Sequence, residues 1–579
     1  MNRIWLLSCL LVLMACRPQE REVVLKIIET SDVHGNFYPY DFIRRAESAG
    51  SLARVHTYVE QEREKYGDNL ILLDNGDILQ GQPSAYYYNY MDTVAPHLTA
   101  EMLNFMKYDA GNMGNHDIET GRAVFDRWMG DCRFPVLGAN IIDVETGKPY
   151  CKPYEVLERD GVKVVVLGMI TPAIPVWLSE NLWRGLRFDD MEETARKWMK
   201  IIQEEEQPDV VVGLFHAGQT PQVMGGKYRD NASVEVACNV PGFDAVLIGH
   251  DHRQENKKVV NVAGDTVLVV NPANNAWLVG DVEITLKKRG KEILSKHVDA
   301  KLTSVKELSV SEDFMNRFAP QYAEIEKFVS KKIGTLSETI STRPAYFGPS
   351  AFVDLIHSLQ LAISGADISL AAPLSFDAEI KQGDIFVSDM FSLYKYENML
   401  YTMRLTGQEI HDALEMSYAL WTNQMKKPED DFLLLRKQPQ QGAADRAMFL
   451  NPSFNFDSAA GILYTVDVTK PAGEKVTITG MADGTPFDPQ KEYKVAVNSY
   501  RGNGGGELLT KGAGIPQEQL PGRILSSTDK DLRYYLMLYI EQQKQIEPKA
   551  LNHWKFIPTS RFSAAVSRDF ERLFGSKKD

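Results

Sequence analysis

The stretch Val23-Val-Leu-Lys-Ile-Ile-Glu-Thr-Ser-Asp-Val-His-Gly35 joins an apolar, β-branched run to an Asp and a His that follow it directly. A nearly continuous apolar run of this length is typical of a strand that is covered on both faces of its sheet. Similar runs recur at 70–73, 162–167, 210–214, 245–248 and 267–270. The first half of the chain therefore predicts a series of buried strands.

A helix is predicted between two of these strands. Residues 191–207 carry apolar side chains at helical spacing, and Asp190 is suited to cap the N-terminus of this helix. Strands that alternate with helices predict α/β layers. A β-rich segment at 276–286 closes the region near residue 300.

A second region begins after a predicted helix. Ser311 is suited to cap that helix, Pro320 predicts a kink in it, and Gly334 predicts its end. Beyond it the chain predicts another α/β region with a glycine-rich segment of its own. The predicted boundaries are a leader at 1–16, a first domain at 22–305, an interdomain helix and linker at 306–336, and a second domain at 337–562.

The composition is that of a folded globular protein. The chain has 579 residues, of which 44% are hydrophobic and 25% charged, and its formal net charge is −14. These values exclude a collagen, a disordered tail and a protein with many membrane spans. The acidic balance argues against a polynucleotide partner, because binding long polyanions requires clustered basic charge. No protein partner is indicated.

The first sixteen residues predict export. Arg3 precedes an apolar stretch at 4–15 that is too short to span a bilayer as a mature helix. The segment ends Leu13-Met-Ala-Cys16, which resembles a bacterial lipobox, and Cys16 would then carry the lipid. Acyl chains on Cys16 would be the only attachment to a membrane. We therefore expect a membrane-anchored bacterial lipoprotein, periplasmic or at the cell surface, although a simple signal peptide with a chance cysteine remains the alternative.

Three cysteines remain once the leader is set aside: Cys132, Cys151 and Cys238. Because three is an odd number, they define no complete disulfide framework. One bridge, between Cys132 and Cys151, is compatible with an exported compartment. No cysteine pair has the spacing of a zinc site. Any metal ligands are therefore expected to be histidines and carboxylates.

Polar residues follow the predicted strands at the point where each strand ends. Open α/β sheets gather their ligand sites at the carboxyl ends of their strands, so these side chains should converge. One Asp-x-His pair alone is most often a polar turn. Four or five such motifs in one domain are not explained by chance. The residues concerned are Asp32 and His34, Asp77, His216, and His250 with His252. Asn115, His116 and Asp117 form a fifth element, which lacks a strong strand before it but has the small residues that a tight turn needs.

This set of side chains predicts a site for two metal ions. Imidazole nitrogens, carboxylates and an amide oxygen suit divalent zinc, manganese, iron or cobalt. The positive charge of two divalent ions exceeds the negative charge of the Asp32 and Asp77 carboxylates. The remaining positive charge favours a phosphate ligand. Such a pair of ions promotes in-line displacement at phosphorus. His116, oriented by Asp117, would protonate the leaving alkoxide or stabilise the equatorial oxygens.

The order of these motifs resembles that of the calcineurin-like metallophosphoesterases: Asp32-Val-His34, Gly76-Asp77-Ile-Leu-Gln-Gly81, Gly114-Asn-His-Asp117, His216 and Gly249-His-Asp-His252. The resemblance implies a four-layer β-sandwich flanked by helices. It assigns one ion to Asp32, His34, Asp77 and His252, and the other to Asp77, Asn115, His216 and His250. It makes His116 and Asp117 the catalytic dyad.

The second domain supplies candidates for substrate recognition. Tyr396 and Tyr500 lie in separate loop-like segments and could sandwich a planar base, while burial of both in the core is equally compatible with the pattern. The region resembles the C-terminal domain of the secreted 5′-nucleotidase family. Its segments Ala372–Phe376, Tyr396-Glu-Asn398, Phe454-Asn-Phe-Asp457 and Asn498-Ser-Tyr-Arg501 are most similar to the 2′,3′-cyclic-nucleotide 2′-phosphodiesterase/3′-nucleotidase branch. This resemblance makes Tyr396 and Tyr500 the base-stacking pair, with Asn398 and Arg501 beside them.

The sequence therefore predicts an exported phosphohydrolase that acts on nucleotides. It would open 2′,3′-cyclic nucleotides and dephosphorylate 3′-nucleotides to nucleoside and phosphate. A 5′-nucleotidase or UDP-sugar hydrolase is the nearest alternative, although the Gly-Gly-Ile-Arg segment usual in that branch is replaced here by Pro373–Phe376. A non-catalytic nucleotide-binding surface lipoprotein is the alternative of another class.

Overall fold

The computed structural model describes residues 19–436 and 447–575. The predicted leader, with Cys16, lies outside the described residues. Two α/β domains follow one another along the chain, as the sequence predicts.

The first domain is built around two six-stranded sheets that face each other. Aliphatic side chains from both sheets fill the space between them, including Leu25, Ile27, Val164 and Val212. In spatial order the first sheet contains Glu292–Ser304, Leu278–Arg289, Glu20–Thr30, Leu70–Asp74, Ala110–Asn112 and Val136–Leu137. The second sheet contains Gln254–Val260, Thr266–Pro272, Ala245–Ile248, Val210–His216, Val162–Ile170 and Tyr154–Arg159.

The central strands of both sheets run parallel. Antiparallel strands close both edges of the second sheet and one edge of the first, whose other edge strand, Val136–Leu137, is parallel to its neighbour. The apolar runs predicted as strands all become central strands, which explains why their residues are buried on both faces. The parallel strands also bring their carboxyl ends to one side of the sandwich. The short strand Ala110–Asn112, before the motif at 114–117, carries no comparable apolar run and was not predicted.

Helices cover the outer face of each sheet, which completes a four-layer sandwich. Asp190 caps its predicted helix by accepting N–H groups of Glu192 and Glu193, although regular helix ends at Ile201. The helices of this domain are Leu52–Tyr66, Pro83–Tyr86, Leu98–Met106, Asn115–Glu119, Arg122–Asp131, Ile174–Trp177, Glu180–Trp183, Met191–Ile201 and Ser233–Asn239.

The predicted interdomain helix is two helices, Glu312–Arg317 and Ala319–Val329. Ser311 caps the first by accepting the N–H of Phe314, as predicted. The break comes at Phe318, because Pro320 occupies the first turn of the second helix, where its missing N–H costs nothing. Gly334 does not end a helix, since it lies in the strand Lys332–Leu336, which already pairs with strands of the second domain.

The second domain contains a five-stranded sheet and two three-stranded sheets. In spatial order the five-stranded sheet contains Ser458–Ala460, Ile368–Ala371, Glu492–Asn498, Met399–Thr406 and Ile524–Asp531. The smaller sheets contain Gly383–Phe386, Lys332–Leu336 and Gln545–Ile546, and Val476–Met481, Ile462–Asp467 and Trp554–Ile557. The longer helices are Ala351–Ser364, Val387–Leu393, Gly407–Trp421, Leu532–Gln543 and Thr559–Phe574.

The two domains are joined by polar contacts on both sides of a cleft. On one side Tyr86 donates to Asp531 at 3.1 Å and Tyr90 donates to Glu397 at 2.9 Å. On the other side the hydroxyl of Tyr401 donates to that of Ser179. The cleft between these contacts contains the site described below.

Cys132, Cys151 and Cys238 are free thiols in the described part of the chain. The Cys132–Cys151 bridge is therefore not formed, and the Cys151 sulfur instead lies 3.9 Å from that of Met129. Within residues 19–436 and 447–575, no helix combines the length and the apolar character needed to cross a membrane.

Candidate dimetal site

The first ligand group contains Asp32, His34 and His252. The Nε2 atoms of the two imidazoles face each other at 3.0 Å, and Oδ1 of Asp32 lies 3.2 Å from the Nε2 of His252. Two ligand nitrogens on one divalent ion, each about 2.1 Å from it, have a separation close to this value. The geometry therefore fits a metal ion held between these side chains.

The second group contains Asp77, His216 and His250, with Asn115 beside them. The Nε2 of His216 lies 3.1 Å from Oδ2 of Asp77 and 3.2 Å from Oδ1 of Asn115. Within the described residues, Oδ2 of Asp77 is buried and accepts no hydrogen bond. A buried carboxylate oxygen without a donor is costly, and a cation satisfies it. The two groups together bring all seven predicted ligands to one place.

Three of the histidines are oriented through the ring nitrogen that faces away from the site. His34 Nδ1 pairs with the carbonyl of Gln80 at 3.1 Å, and His216 Nδ1 pairs with the carbonyl of Asn75 at 2.6 Å. His250 Nε2 lies 3.4 Å from Oδ1 of Asp230. Such contacts select the tautomer whose other nitrogen is free to bind a metal. Asp230 was not identified from the sequence.

The backbone at the ligand positions adopts an unusual conformation. Positive φ angles occur at Asp32 (52°), His34 (50°), Asp77 (56°), His250 (72°) and His252 (55°). Residues with a Cβ avoid this left-handed region, at a cost of about 1 kcal/mol or more each. Since each of these residues follows the end of a strand, the strained turns direct five of the seven ligands back toward one point.

Burial and mutual interaction set the charge of these groups. Burial alone would raise the pKa of Asp32, but the imidazoles of His216 and His252 hold it well below its usual range. Burial, with the nearby His252, lowers the pKa of His34 to about 3, so its imidazole is neutral and able to bind a metal. Beneath the site, burial raises the pKa of Asp74 to about 8, and that of Glu29 well above its ordinary value. Both therefore favour the neutral acid and contribute little negative charge.

The partner of His116 differs from the predicted one. Its Nδ1 lies 2.5 Å from Oε2 of Glu119, one helical turn further along the helix Asn115–Glu119. The carboxylate of Asp117 instead accepts the backbone N–H groups of residues 77, 78, 79 and 114, at 2.8–3.0 Å. Asp117 is therefore wrong as the residue that orients His116. Its four backbone donors occupy both of its oxygens, whereas Glu119 lies at the i+3 position, which faces the imidazole.

A cavity of about 1960 Å³ between the domains joins these residues to the predicted base-binding pair. His34, His116 and Asn115 line it from the first domain, and Tyr396, Asn398 and Tyr500 line it from the second. Both tyrosines are half-buried with a face in the cavity, so they are not core residues. The ring centre of Phe454 lies 6.1 Å from that of each tyrosine, and its ring packs edge to face with both.

Arg501 does not line this cavity. Its guanidinium is only 2% exposed and forms a bidentate pair with Asp457, with Nε 2.8 Å from Oδ2 and Nη2 2.9 Å from Oδ1. It also donates to the carbonyl of Gly505. The prediction that Arg501 contacts substrate is therefore wrong, because all of its donors face inward. It holds together the loops that present Tyr500 and Phe454.

Comparison with known families agrees with this geometry. Residues 25–254 match the calcineurin-like phosphoesterase family, and residues 332–511 match the 5′-nucleotidase C-terminal domain. The chain belongs to the calcineurin-like phosphoesterases with a 5′-nucleotidase C-terminal domain. It is therefore a metallophosphoesterase, a type of enzyme that uses divalent metal ions, and the two groups of side chains are candidates to hold them.

Two relatives match nearly the whole phosphoesterase chain. The 2′,3′-cyclic-nucleotide 2′-phosphodiesterase/3′-nucleotidase of Yersinia enterocolitica is 26% identical over 95% of this chain and 90% of its own length. The trifunctional nucleotide phosphoesterase protein YfkN of Bacillus subtilis is 27% identical over 93% of this chain, which spans 39% of that longer protein.

Among solved structures, a Staphylococcus aureus protein described as a 5′-nucleotidase, in complex with alpha-ketoglutarate, has the same fold. It superimposes with a TM-score of 0.75 at 21% sequence identity, covering 92% of this phosphoesterase and 99% of the other chain. At this identity the likeness supports the two-domain architecture alone.

Three residues of the site are not predicted from the sequence: Glu119, Asp230 and Phe454. Glu119 carried a usable signal, since it lies three residues after His116 in a segment that can form a helical turn. Asp230 lies in a hairpin far from any motif, and nothing in its local sequence indicates the contact with His250. Phe454 was part of a resembling segment, but its edge-to-face contacts with both tyrosines depend on tertiary packing.

Proposed function

We propose that this phosphoesterase acts on nucleotides, opening 2′,3′-cyclic nucleotides and dephosphorylating 3′-nucleotides. The observation that carries the proposal is the single cavity that joins the two ligand groups to Tyr396 and Tyr500. The activity in the name of the Yersinia relative supports the choice of phosphate position.

In this proposal Asp32, His34 and His252 hold one ion, and Asn115, His216 and His250 hold the other, with Asp77 shared between them. The residues provide nitrogen and oxygen ligands that suit zinc, manganese, iron or cobalt. Bound there, two such ions would activate the attacking water and would stabilise charge on the phosphoryl oxygens. Asp230 keeps His250 in the tautomer that binds.

His116 acts on the oxygen that leaves. Its Nδ1 is engaged by Glu119, which leaves Nε2 for the cavity, where the imidazole is partly exposed. Burial on its own would lower the pKa of His116, but Asp77 and Glu119 outweigh this effect and raise it to about 9. The ring therefore holds a proton at Nε2 that it can donate to a ribose alkoxide, which is a poor leaving group without one.

The second domain binds the nucleoside. Tyr396 and Tyr500 provide two aromatic faces for a planar base, and Phe454 supports both rings from the side. Asn398 lines the same part of the cavity and offers one donor and one acceptor to the edge of the base. An amide with both functions accepts more than one base, so we expect broad base specificity.

The test is a substrate panel with the metal-loaded protein. We expect turnover of 2′,3′-cyclic AMP and of 3′-AMP to exceed that of 5′-AMP and UDP-glucose. Faster turnover of the last two would make the protein a 5′-nucleotidase or UDP-sugar hydrolase instead. If the protein bound adenosine but hydrolysed none of the four compounds, it would be a non-catalytic nucleotide-binding protein.

We also propose that the protein is exported and anchored through a lipid on Cys16. The support is the apolar segment at 4–15 followed by Leu13-Met-Ala-Cys16, which resembles a lipobox. The check is metabolic labelling with a fatty acid in a bacterial host, followed by membrane fractionation. Label in the wild type and none in Cys16→Ser is expected, whereas equal fractionation of both would contradict the anchor.

A further inference from the structure

Lys395 is a cation in the cavity without an acidic partner. It precedes Tyr396, and its Nζ lies 5.4 Å from the centre of that ring. Its side chain lines the interdomain cavity. Within the described residues, no carboxylate oxygen lies within 4.0 Å of its ammonium group. Arg45 and Lys511 line the same cavity and do have such partners, Asp389 and Glu507, whereas Lys306 and Lys381 have none among the described residues.

Arg44 approaches the same space from the first domain. It lies between the short strands Tyr40–Asp41 and Ala46–Glu47 and lines the same cavity. Burial and the charge of Arg44 lower the pKa of Lys395. The nearest carboxylate oxygen to Arg44 is Oδ2 of Asp41, 3.8 Å from its Nε, while Oδ1 of Asp41 accepts two backbone N–H groups. Both side chains are open to solvent, with 84% of the Arg44 side chain exposed, and their like charges repel each other, so an anion between them is attracted to both.

The position of these cations indicates which part of a ligand they contact. Lys395 adjoins a tyrosine of the base-binding pair and not the metal ligands. The cavity of about 1960 Å³ also exceeds the range of roughly 300–1000 Å³ that is usual for a small-molecule site. There is therefore room for a charged group on the nucleoside in addition to the phosphate at the metal ligands. In a 3′-nucleotide, the 2′- and 5′-oxygens of the ribose are free. Because the 2′-oxygen adjoins the phosphate at the metal ligands, a separate charged group is carried on the 5′-oxygen.

We propose that Lys395 and Arg44 form a subsite for a second phosphate, carried on the 5′-oxygen of a nucleotide whose 3′-phosphate is hydrolysed. The preferred substrates are then nucleoside 3′,5′-bisphosphates or the 3′-phosphorylated ends of short oligonucleotides. The proposal rests on the proposed function. Because the two cations belong to different domains, a phosphate held by both also favours the arrangement in which the domains are packed together.

The experiment compares kcat/KM for adenosine 3′,5′-bisphosphate with kcat/KM for 3′-AMP at low ionic strength. The wild-type ratio is expected to be about ten or higher, because a charge-assisted contact to phosphate is worth at least a factor of that order. Lys395→Met and Arg44→Met should each lower the ratio by roughly tenfold. Lys381→Met removes one charge from the same cavity and is the matched control, with a change in the ratio of less than about twofold.

A wild-type ratio near one, or a ratio that Lys381→Met lowers as much as Lys395→Met, would overturn the subsite. If neither compound is hydrolysed, the proposed function fails. The subsite is then tested separately, by measuring the affinities of the two compounds. Metal-loaded His116→Ala should bind adenosine 3′,5′-bisphosphate about tenfold more tightly than 3′-AMP, and the added Lys395→Met change should remove the difference. Equal affinities in the His116→Ala protein would refute it.

Discussion

Replacing Glu119 by Gln separates the role of Glu119 from that of Asp117. Glu119 is 6% exposed, and its carboxylate lies 2.5 Å from the Nδ1 of His116. A hydrogen bond of this kind to a charged group is worth about 1.5–3 kcal/mol. If the bond matters only when His116 donates its proton, Glu119→Gln lowers kcat for 3′-AMP by about 10- to 150-fold.

The assay uses two leaving groups. A ribose alkoxide needs a proton as it leaves, whereas p-nitrophenolate leaves as an anion. We therefore expect Glu119→Gln to slow 3′-AMP hydrolysis strongly and p-nitrophenyl phosphate hydrolysis by less than about threefold. Metal content and melting temperature should match those of the wild type. Equal loss on both substrates, or no loss on 3′-AMP, would refute the assignment of Glu119.

Asp117→Asn provides the contrast. The Asn amide keeps one acceptor oxygen, which can serve only some of the four backbone N–H groups. Its NH₂ group faces the remaining N–H groups, which are buried and lose their acceptor. The expected cost is about 3 kcal/mol, which lowers the melting temperature by roughly 6–12 °C. A variant that melted like the wild type but lost 3′-AMP hydrolysis selectively would restore Asp117 as the partner of His116.

Three other predictions follow from the same structure. Asp230→Asn should weaken the ion held with His250 by about 10- to 100-fold, so that chelator titration removes one ion well before the other, and simultaneous loss of both would contradict this. Tyr396→Ala or Tyr500→Ala should lower kcat/KM for 3′-AMP by roughly 5- to 150-fold without affecting p-nitrophenyl phosphate, since one stacked face is worth about 1–3 kcal/mol. Arg533 lowers the pKa of Glu397, but burial and the nearby carboxylates outweigh this effect and raise it to about 7. Since the unfolded chain releases this proton near pH 4.5, the folded protein loses stability as pH rises from about 4.5 to 7. Glu397→Gln does not titrate, and urea unfolding should show its stability relative to the wild type increasing by up to about 3 kcal/mol between pH 5 and pH 8, whereas a constant difference would refute the shift.

Much of the first domain could be predicted because its signal is local. Most central strands are short apolar runs, and six of the seven ligands follow one of these runs within a few residues, so strand position fixes ligand position. These six converge for this reason, whereas Asn115 follows Ala110–Asn112, which carries no such run. The same locality explains the success at Ser311 and Asp190, which cap helices with their own side chains.

The misses share a different cause, since they depend on which partner a charged group finds after folding. Asp117 stands next to His116 in sequence, but a helix directs adjacent side chains about 100° apart, and its carboxylate serves four backbone groups instead. Arg501 stands next to Tyr500, yet its guanidinium faces Asp457, over forty residues away in the sequence. Neighbouring positions along the chain therefore predicted the correct loops but not the correct side-chain roles.

The five predicted ligands with a left-handed backbone would be under a different selection if the protein no longer needed to bind metal. Without ions to compensate for this conformation, Asn or Gly at these positions would relieve the backbone and raise the melting temperature of the metal-free protein. Selection for heat resistance in the presence of a chelator should therefore recover substitutions at positions such as His252 and His34 first. The lineage would gain robustness by giving up hydrolysis, while the aromatic cleft of the second domain would still retain nucleosides.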